Sequence, residues 1–327
     1  MEIAVLDIIK FFAIAKPCSL SSQQYSSLPN QTPIPMKKLI LFFAILLSFN
    51  VSGQKQGTVK ESLIIKSAIL GKDVKYCIYL PADYEITNRN YPILYLLHGY
   101  SDDDTGWLQF GEVNRIADES VAKGEAAPMV IAMPDGGVSW YINSADGKVK
   151  YEDFFVNEFM PAIEKMYRIR ANKRYRAIAG LSMGGYGTLV LALKHPDLFS
   201  AAAPLSAAVF NDNDVLTTPE DRWNNVFGIL YGNDLKGKDR LTAHLKSNAP
   251  LSIVEKNTVA ELSKIKYYID CGDDDFLIKG NMELHALLTD KKVPHEFRVR
   301  DGGHTWGYWR SALPEVLKFV SDSFHQK

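Results

Sequence analysis

Tyr175-Arg176-Ala177-Ile178-Ala179-Gly180-Leu181-Ser182-Met183-Gly184-Gly185 decides how the rest of the chain reads. Residues 175–179 have the short apolar pattern of a buried strand, and residues 186–194 are apolar and helix-compatible. Between them stands G-x-S-x-G. A serine on a tight strand-to-helix turn is a nucleophile elbow, which pushes the hydroxyl out at the end of the strand. The glycines have a mechanical reason: a Cβ at Gly180 or Gly184 would clash where strand and helix cross. The competing reading is a glycine-rich turn with a capping serine, and the partners found elsewhere in the chain weigh against it.

Working outward, the 327 residues are 46% hydrophobic and 23% charged with a net charge of −1, an ordinary globular composition. Without a basic excess, nucleic acid is not an expected partner. No uninterrupted apolar run reaches the length of a membrane span. Met36-Lys37-Lys38, the apolar run 39–47 and Val51-Ser52-Gly53 before Gln54 form a secretory signal pattern. Residues 1–35 then read as an upstream extension, disordered where residues 19–35 are rich in Ser, Gln and Pro. The alternative, that residues 1–35 are genuine, rests on an apolar run at 3–15 broken by Asp7 and Lys10. The expected organisation is a signal peptide at 36–53 and a single domain at 54–327, in a periplasmic or secreted protein. No cysteine marks the cleavage site, so no lipid anchor is expected. Cys77 and Cys271 lie in strand-like runs and read as buried and unpaired, a disulfide being the alternative. No C-x-x-C or His-rich spacing suggests a metal, and no cofactor is expected. The sequence carries no signal for an oligomeric state.

In chain order, 62–69 and 74–80 read as an antiparallel hairpin around Gly71. Residues 91–97 form a continuous apolar run, as expected of a strand buried on both faces. A helix is predicted over 108–123, a buried strand over 129–133 and a long amphipathic helix over 151–167. After the elbow come a strand at 200–205 and an irregular, polar excursion over 210–264, the candidate cap. A strand at 266–270, a helix at 278–289, a strand at 295–299 and a helix at 313–324 complete the chain. Strands alternating with helices predict a mostly parallel sheet covered on both faces.

A serine hydroxyl needs an adjacent base. Of the seven histidines, His304 alone follows Arg300-Asp301-Gly302-Gly303 just after the last predicted strand, at the sheet edge where sites of open α/β sheets form. His98 and His195 read as structural, His195 because it ends the helix after the elbow. His244, His285, His295 and His325 lie in helical or strand patterns. The acid should fall between serine and histidine in the chain. Gly272-Asp273-Asp274-Asp275 and the pair Asp212 and Asp214 both follow strands. The first cluster is favoured because its strand directly precedes the one that delivers His304. Within it the glycine turn favours Asp275, with Asp274 as runner-up. Oxyanion donors are needed as well. The N–H of Met183 follows the nucleophile, and the N–H of Tyr100 lies in the His98-Gly99-Tyr100 loop.

His98-Gly99, Pro134-Asp135-Gly136, Gly180-Leu181-Ser182-Met183-Gly184-Gly185, the run 271–277 and Gly303-His304-Thr305-Trp306 together resemble the esterase D, or putative esterase, family. That family includes S-formylglutathione hydrolases, feruloyl and acetyl-xylan esterases and mycolyltransferases, and the resemblance extends over roughly 63–324. It implies an α/β-hydrolase fold and a Ser182–His304–Asp275 triad, its G-x-x-D pattern placing the acid on Asp275. Trp107, Trp140 and Trp306 are candidate substrate-binding residues, since flat aromatic faces suit acyl groups and sugars. Tyr141, Tyr308 and Trp309 are candidates of lower rank, and rim packing is the alternative for all six. The implied activity is a secreted serine carboxylesterase acting on acetyl or feruloyl-type esters of plant polysaccharide. The rivals are an acyltransferase of the mycolyltransferase type, a thioesterase like S-formylglutathione hydrolase and a non-catalytic carbohydrate-binding module.

Overall fold

The computed structural model describes residues 56–325. The upstream extension and signal peptide expected at 1–53 lie outside the described residues. The chain opens with β1 (Thr58–Ser67) and β2 (Lys72–Leu80), antiparallel and joined through Gly71 at φ +64°. It continues with β3 (Ile93–Leu97), β4 (Val130–Pro134), β5 (Arg176–Leu181), β6 (Ala201–Leu205), β7 (Lys266–Gly272) and β8 (His295–Arg300). These form an eight-stranded sheet in the order β1-β2-β4-β3-β5-β6-β7-β8. From β4 to β8 every neighbouring pair is parallel, and β2 meets β4 antiparallel. The α/β-hydrolase fold with a mostly parallel sheet is what the structure has.

The apolar runs explain the layering. β3 is buried along its whole length, and its residues alternate between two cores. Ile93, Tyr95 and Leu97 face one and Leu94 and Leu96 the other, the period-two geometry of a strand covered on both faces. Beyond β3, α1 (Gly106–Gln109) and α2 (Val113–Ala122) follow. Helix α3 spans 151–166, α4 is Met183–Lys194, α5 is Ile278–Asp290 and α6 is Trp306–His325. Val113, Ile116, Leu313 and Val316 of α2 and α6 pack on one face of the sheet. Phe155, Ile163, Leu189 and Leu284 of α3, α4 and α5 pack on the other.

Three helices depart from the pattern predicted for them. The helix expected at 108–123 is two, because Glu112 sits at φ +51° and Gly111 presses on Trp107, where a Cβ would stand 2.5 Å from the Trp107 carbonyl oxygen. Helix α3 carries a π-turn at Phe155–Phe159, just before Pro161, whose missing N–H disturbs the regular ladder. Helix α6 begins at Trp306, seven residues before the predicted start at Leu313. Pro314 resembles a first-turn proline, yet burial of Tyr308 and Trp309 carries the helix through it. The excursion after β6 folds into short helices, among them Asp212–Thr217, Gly228–Tyr231, Ala243–Asn248 and Pro250–Lys256. Cys77 and Cys271 are buried free thiols, and burial pushes both up to about 12.

Candidate active site

The carboxyl ends of β3, β5, β6, β7 and β8 open onto one edge of the sheet. Ser182, between β5 and α4, has φ +55° and ψ −115°, a left-handed conformation that costs a non-glycine residue on the order of 1–3 kcal/mol. Its surroundings hold it there. The Ser182 N–H donates to the Leu205 carbonyl at 2.9 Å, and its own carbonyl accepts from the Tyr186 and Ala208 N–H groups at 3.0 and 3.2 Å. A Cβ on Gly180 would stand 2.6 Å from the Gly184 carbonyl oxygen, and one on Gly184 2.5 Å from that of Leu97. The crossing therefore requires both glycines.

His304 lies in the loop between β8 and α6. Its Nε2 is 2.9 Å from Ser182 Oγ, and its Nδ1 is 2.9 and 3.1 Å from the two carboxylate oxygens of Asp275. Asp275 is buried and also accepts from the Leu277 N–H at 2.9 Å and from the Ser206 hydroxyl. Burial alone would raise its carboxyl, but the hydrogen bonds from His304, Leu277 and Ser206 hold it below the usual carboxylate range. The imidazole sits between Phe276 and Trp309, with ring centroids 4.6 and 4.9 Å away. Trp309 donates its indole N–H to Ser206 Oγ at 3.0 Å, which ties the two supports together. A hydroxyl, an imidazole and a carboxylate in this order can move a proton off the serine as its oxygen attacks a carbonyl.

The other acids stand elsewhere. Asp274 is exposed and forms a surface cluster with Asp273 and Asp301. Asp214 closes the cap of the helix that Asn211 starts, and Asp212 pairs with Lys246. His98 is buried and accepts from the Gly136 N–H at its Nε2, so its Nδ1 carries the proton given to the Gly99 carbonyl. His195 bonds to Glu152 at 2.8 Å.

Met183 is the first residue of α4, and Tyr100 lies on the loop after β3. Among the described residues neither backbone N–H has a protein partner. That loop passes close to the serine: a Cβ on Gly99 would be 3.8 Å from Ser182 Cβ. The Tyr141 hydroxyl braces it, accepting from the His98 N–H at 3.0 Å and donating to the His98 carbonyl at 3.1 Å.

The three tryptophans take different places. Trp306 is half-buried and packs edge-on against Trp107 at 5.2 Å. Trp107 itself is fully buried and donates to the Leu97 carbonyl, so it supports Trp306 from below and offers no open face. Trp140, at φ +54°, touches Tyr100 at 6.1 Å and Tyr186 at 5.2 Å. With Tyr186, Phe210, Trp223 and Phe227 it lines an apolar chamber of about 40 Å³, and its buried indole N–H has no partner among the described residues.

Ser206, Tyr186 and Phe276 escaped the reading of the sequence. Ser206 comes from a strand end that carried no motif. In the sequence Tyr186 falls within an apolar, helix-compatible run and Phe276 within a family pattern.

The Putative esterase family model matches residues 67–320. An acetyl esterase of Caldicellulosiruptor saccharolyticus is 28% identical over 273 residues, 78% of this chain and 95% of that one. Among solved structures, a ferulic acid esterase is similar with a TM-score of 0.72 at 35% identity, covering 82% of this chain and 99% of its own. A substrate-bound fluorophosphonate-binding serine hydrolase of Staphylococcus aureus has a TM-score of 0.69 at 27% identity, covering 81% and 99%.

Proposed function

The chain belongs to the Putative esterase family and is a serine carboxylic ester hydrolase, and from that premise we propose that it is an exported enzyme that removes acetyl or feruloyl-type groups from plant polysaccharide. Residues 54–327 are the esterase domain, and residues 36–53 direct it out of the cytoplasm. The observation that carries the mechanism is the 2.9 Å approach of His304 Nε2 to Ser182 Oγ with the buried Asp275 carboxylate behind it.

Ser182 Oγ attacks the ester carbonyl and His304 Nε2 takes its proton. Asp275 holds the imidazole ring in place and stabilises the imidazolium through Nδ1. The carbonyl oxygen, now negative, receives the N–H groups of Met183 and Tyr100. His304 returns the proton to the leaving alcohol oxygen as the tetrahedral centre collapses. A water then attacks the acyl carbonyl while giving a proton to His304, and His304 passes that proton to Ser182 Oγ as the acid leaves.

The acyl end is directed toward Trp140 and the chamber behind it, because Trp140 touches Tyr100 and Tyr186 stands one turn beyond Ser182. At about 40 Å³ the chamber holds more than a water but falls short of the ~150 Å³ that accommodates a benzene ring. That ranks acetyl ahead of feruloyl. A hydrolysis panel of acetylated xylan fragments, feruloylated xylan fragments and simple aryl esters tests the substrate. Release of acetate from xylan fragments is expected, and cleavage of aryl esters alone would overturn the polysaccharide reading. Terminal sequencing of the native protein tests export, with a start near Gln54 expected.

A further inference from the structure

Phe276 is an anomaly for a residue beside a catalytic acid. It is 67% exposed, follows the buried Asp275, and holds its ring 4.6 Å from the His304 ring. Folding does not require it there, because most of its surface stays in water. It borders a groove of about 280 Å³ between the excursion and the start of α5, whose lining includes Phe210, Phe227, Asp214, Arg222 and Lys279. Phe210 and Phe227 also line the chamber behind Trp140, so the two spaces share a wall. Among the described residues the side chains of Arg222 and Lys279 form no ion pair or hydrogen bond. The groove thus offers an exposed aromatic face next to unspent donors and one carboxylate.

The chemistry of ester cleavage assigns the groove to one half of the substrate. His304 Nε2 must protonate the leaving oxygen, so the alcohol lies on the His304 side of the carbonyl, and Phe276 links His304 to the groove. We infer that this groove binds the alcohol half of the ester as a sugar ring, with Phe276 under the C–H face and Arg222, Lys279 and Asp214 reaching its hydroxyls. The assignment rests on the polysaccharide-esterase reading above. A sugar matches the groove because it combines an apolar face with a rim of donors and acceptors. A fatty alcohol would bring no partner for two cations and a carboxylate.

The test compares kcat/KM on an acetylated xylo-oligosaccharide with kcat/KM on 4-nitrophenyl acetate, whose leaving group is no sugar. The ratio of the two is expected to fall about tenfold in Phe276→Ala, through KM on the oligosaccharide, and to recover in Phe276→Tyr. The double variant Arg222→Gln/Lys279→Gln changes exposed residues and should lower the same ratio at least fivefold. Deacetylated xylo-oligosaccharide should inhibit the wild type competitively and both variants more weakly. A ratio unchanged within twofold in both variants overturns the subsite, including the case where Phe276→Ala slows both substrates alike through His304. If the wild type cleaves 4-nitrophenyl acetate but no sugar ester, the polysaccharide reading itself fails and takes the subsite with it. A wild type active on sugar esters with an unmoved ratio removes the subsite alone.

Discussion

At the scale of single residues, the proposed mechanism makes Ser182, His304 and Asp275 one unit, so removing one should cost nearly what removing all would. Ser182→Ala is expected to lower kcat on an aryl acetate by about 10³-fold or more while the far-ultraviolet circular dichroism stays unchanged. The aspartates beside one another give a sharper comparison. Asp275 touches both His304 and the Leu277 N–H, whereas Asp274 faces solvent. Asp275→Asn should therefore cost about 10³- to 10⁴-fold in kcat, and Asp274→Asn less than about threefold. Asp275 also makes stability depend on pH. Its carboxyl is held low in the folded chain, so its contribution is present above the unfolded value of about 3.9 and is lost as pH falls through the folded value. Between about pH 5 and 3 the Tm of the wild type should fall more steeply than that of Asp275→Asn; parallel slopes would count against the shift. Ser182 and His304 were legible because a motif and a strand-end loop mark them. Ser206 was not, since its hydroxyl reaches Asp275 only after β6 and β7 lie side by side.

At the scale of elements, the loop that carries His304 is held at both ends by a buried carboxylate. Asp270 of β7 is fully buried and accepts from Arg300 at the end of β8 at 2.9 Å, from Tyr308 in the first turn of α6 at 2.5 Å and from Tyr268 at 2.9 Å. The backbone is equally close, since a Cβ on Gly272 would stand 2.0 Å from the Gly302 carbonyl oxygen. Breaking a fully buried ion pair costs about 3–5 kcal/mol, and with Arg300 partly exposed about 2 kcal/mol is expected for Asp270→Asn. That corresponds to a Tm lower by roughly 4–8 °C for a chain of this size. Because the hub positions His304 and touches no substrate, kcat should drop with little change in KM. Unaltered kcat would mean that the loop keeps its place without Asp270. In the sequence, Asp270 was visible only as the last residue of a strand. Its role depends on β8 and α6 converging on it, which no local pattern records.

At the scale of the whole molecule, the sheet carries the candidate triad at one edge, and the excursion after β6 helps to line two unlike spaces, one against Trp140 and one against Phe276. The chamber behind Trp140 is small and apolar, and the groove beside Phe276 is open and partly charged. Each methylene buried in a matching pocket contributes about 0.8 kcal/mol, so a long-chain site would raise kcat/KM steadily with acyl length. The opposite is expected here. Across 4-nitrophenyl acetate, butyrate, octanoate and decanoate, kcat/KM should peak at the short end, and a steady climb toward decanoate would overturn the assignment of the chamber. The polar residues between 212 and 225 point the same way, because a lid that meets a lipid interface needs a strongly apolar face.

The sequence by itself determined the fold class and the order of its strands in the chain, because apolar runs buried on both faces and a glycine-framed serine turn are local signals with local physical causes. It also offered Asp275 and Met183 as candidates, from spacing around a strand end and a nucleophile. What it could not determine was decided by tertiary structure. The break at Glu112 and the early start of α6 are set by Trp107, Tyr308 and Trp309 finding their burial. Trp107, Trp140 and Trp306 looked alike as aromatic loop residues. One became a buried support, one a chamber wall and one a half-exposed surface, because burial depends on which chain segments arrive from far along the sequence.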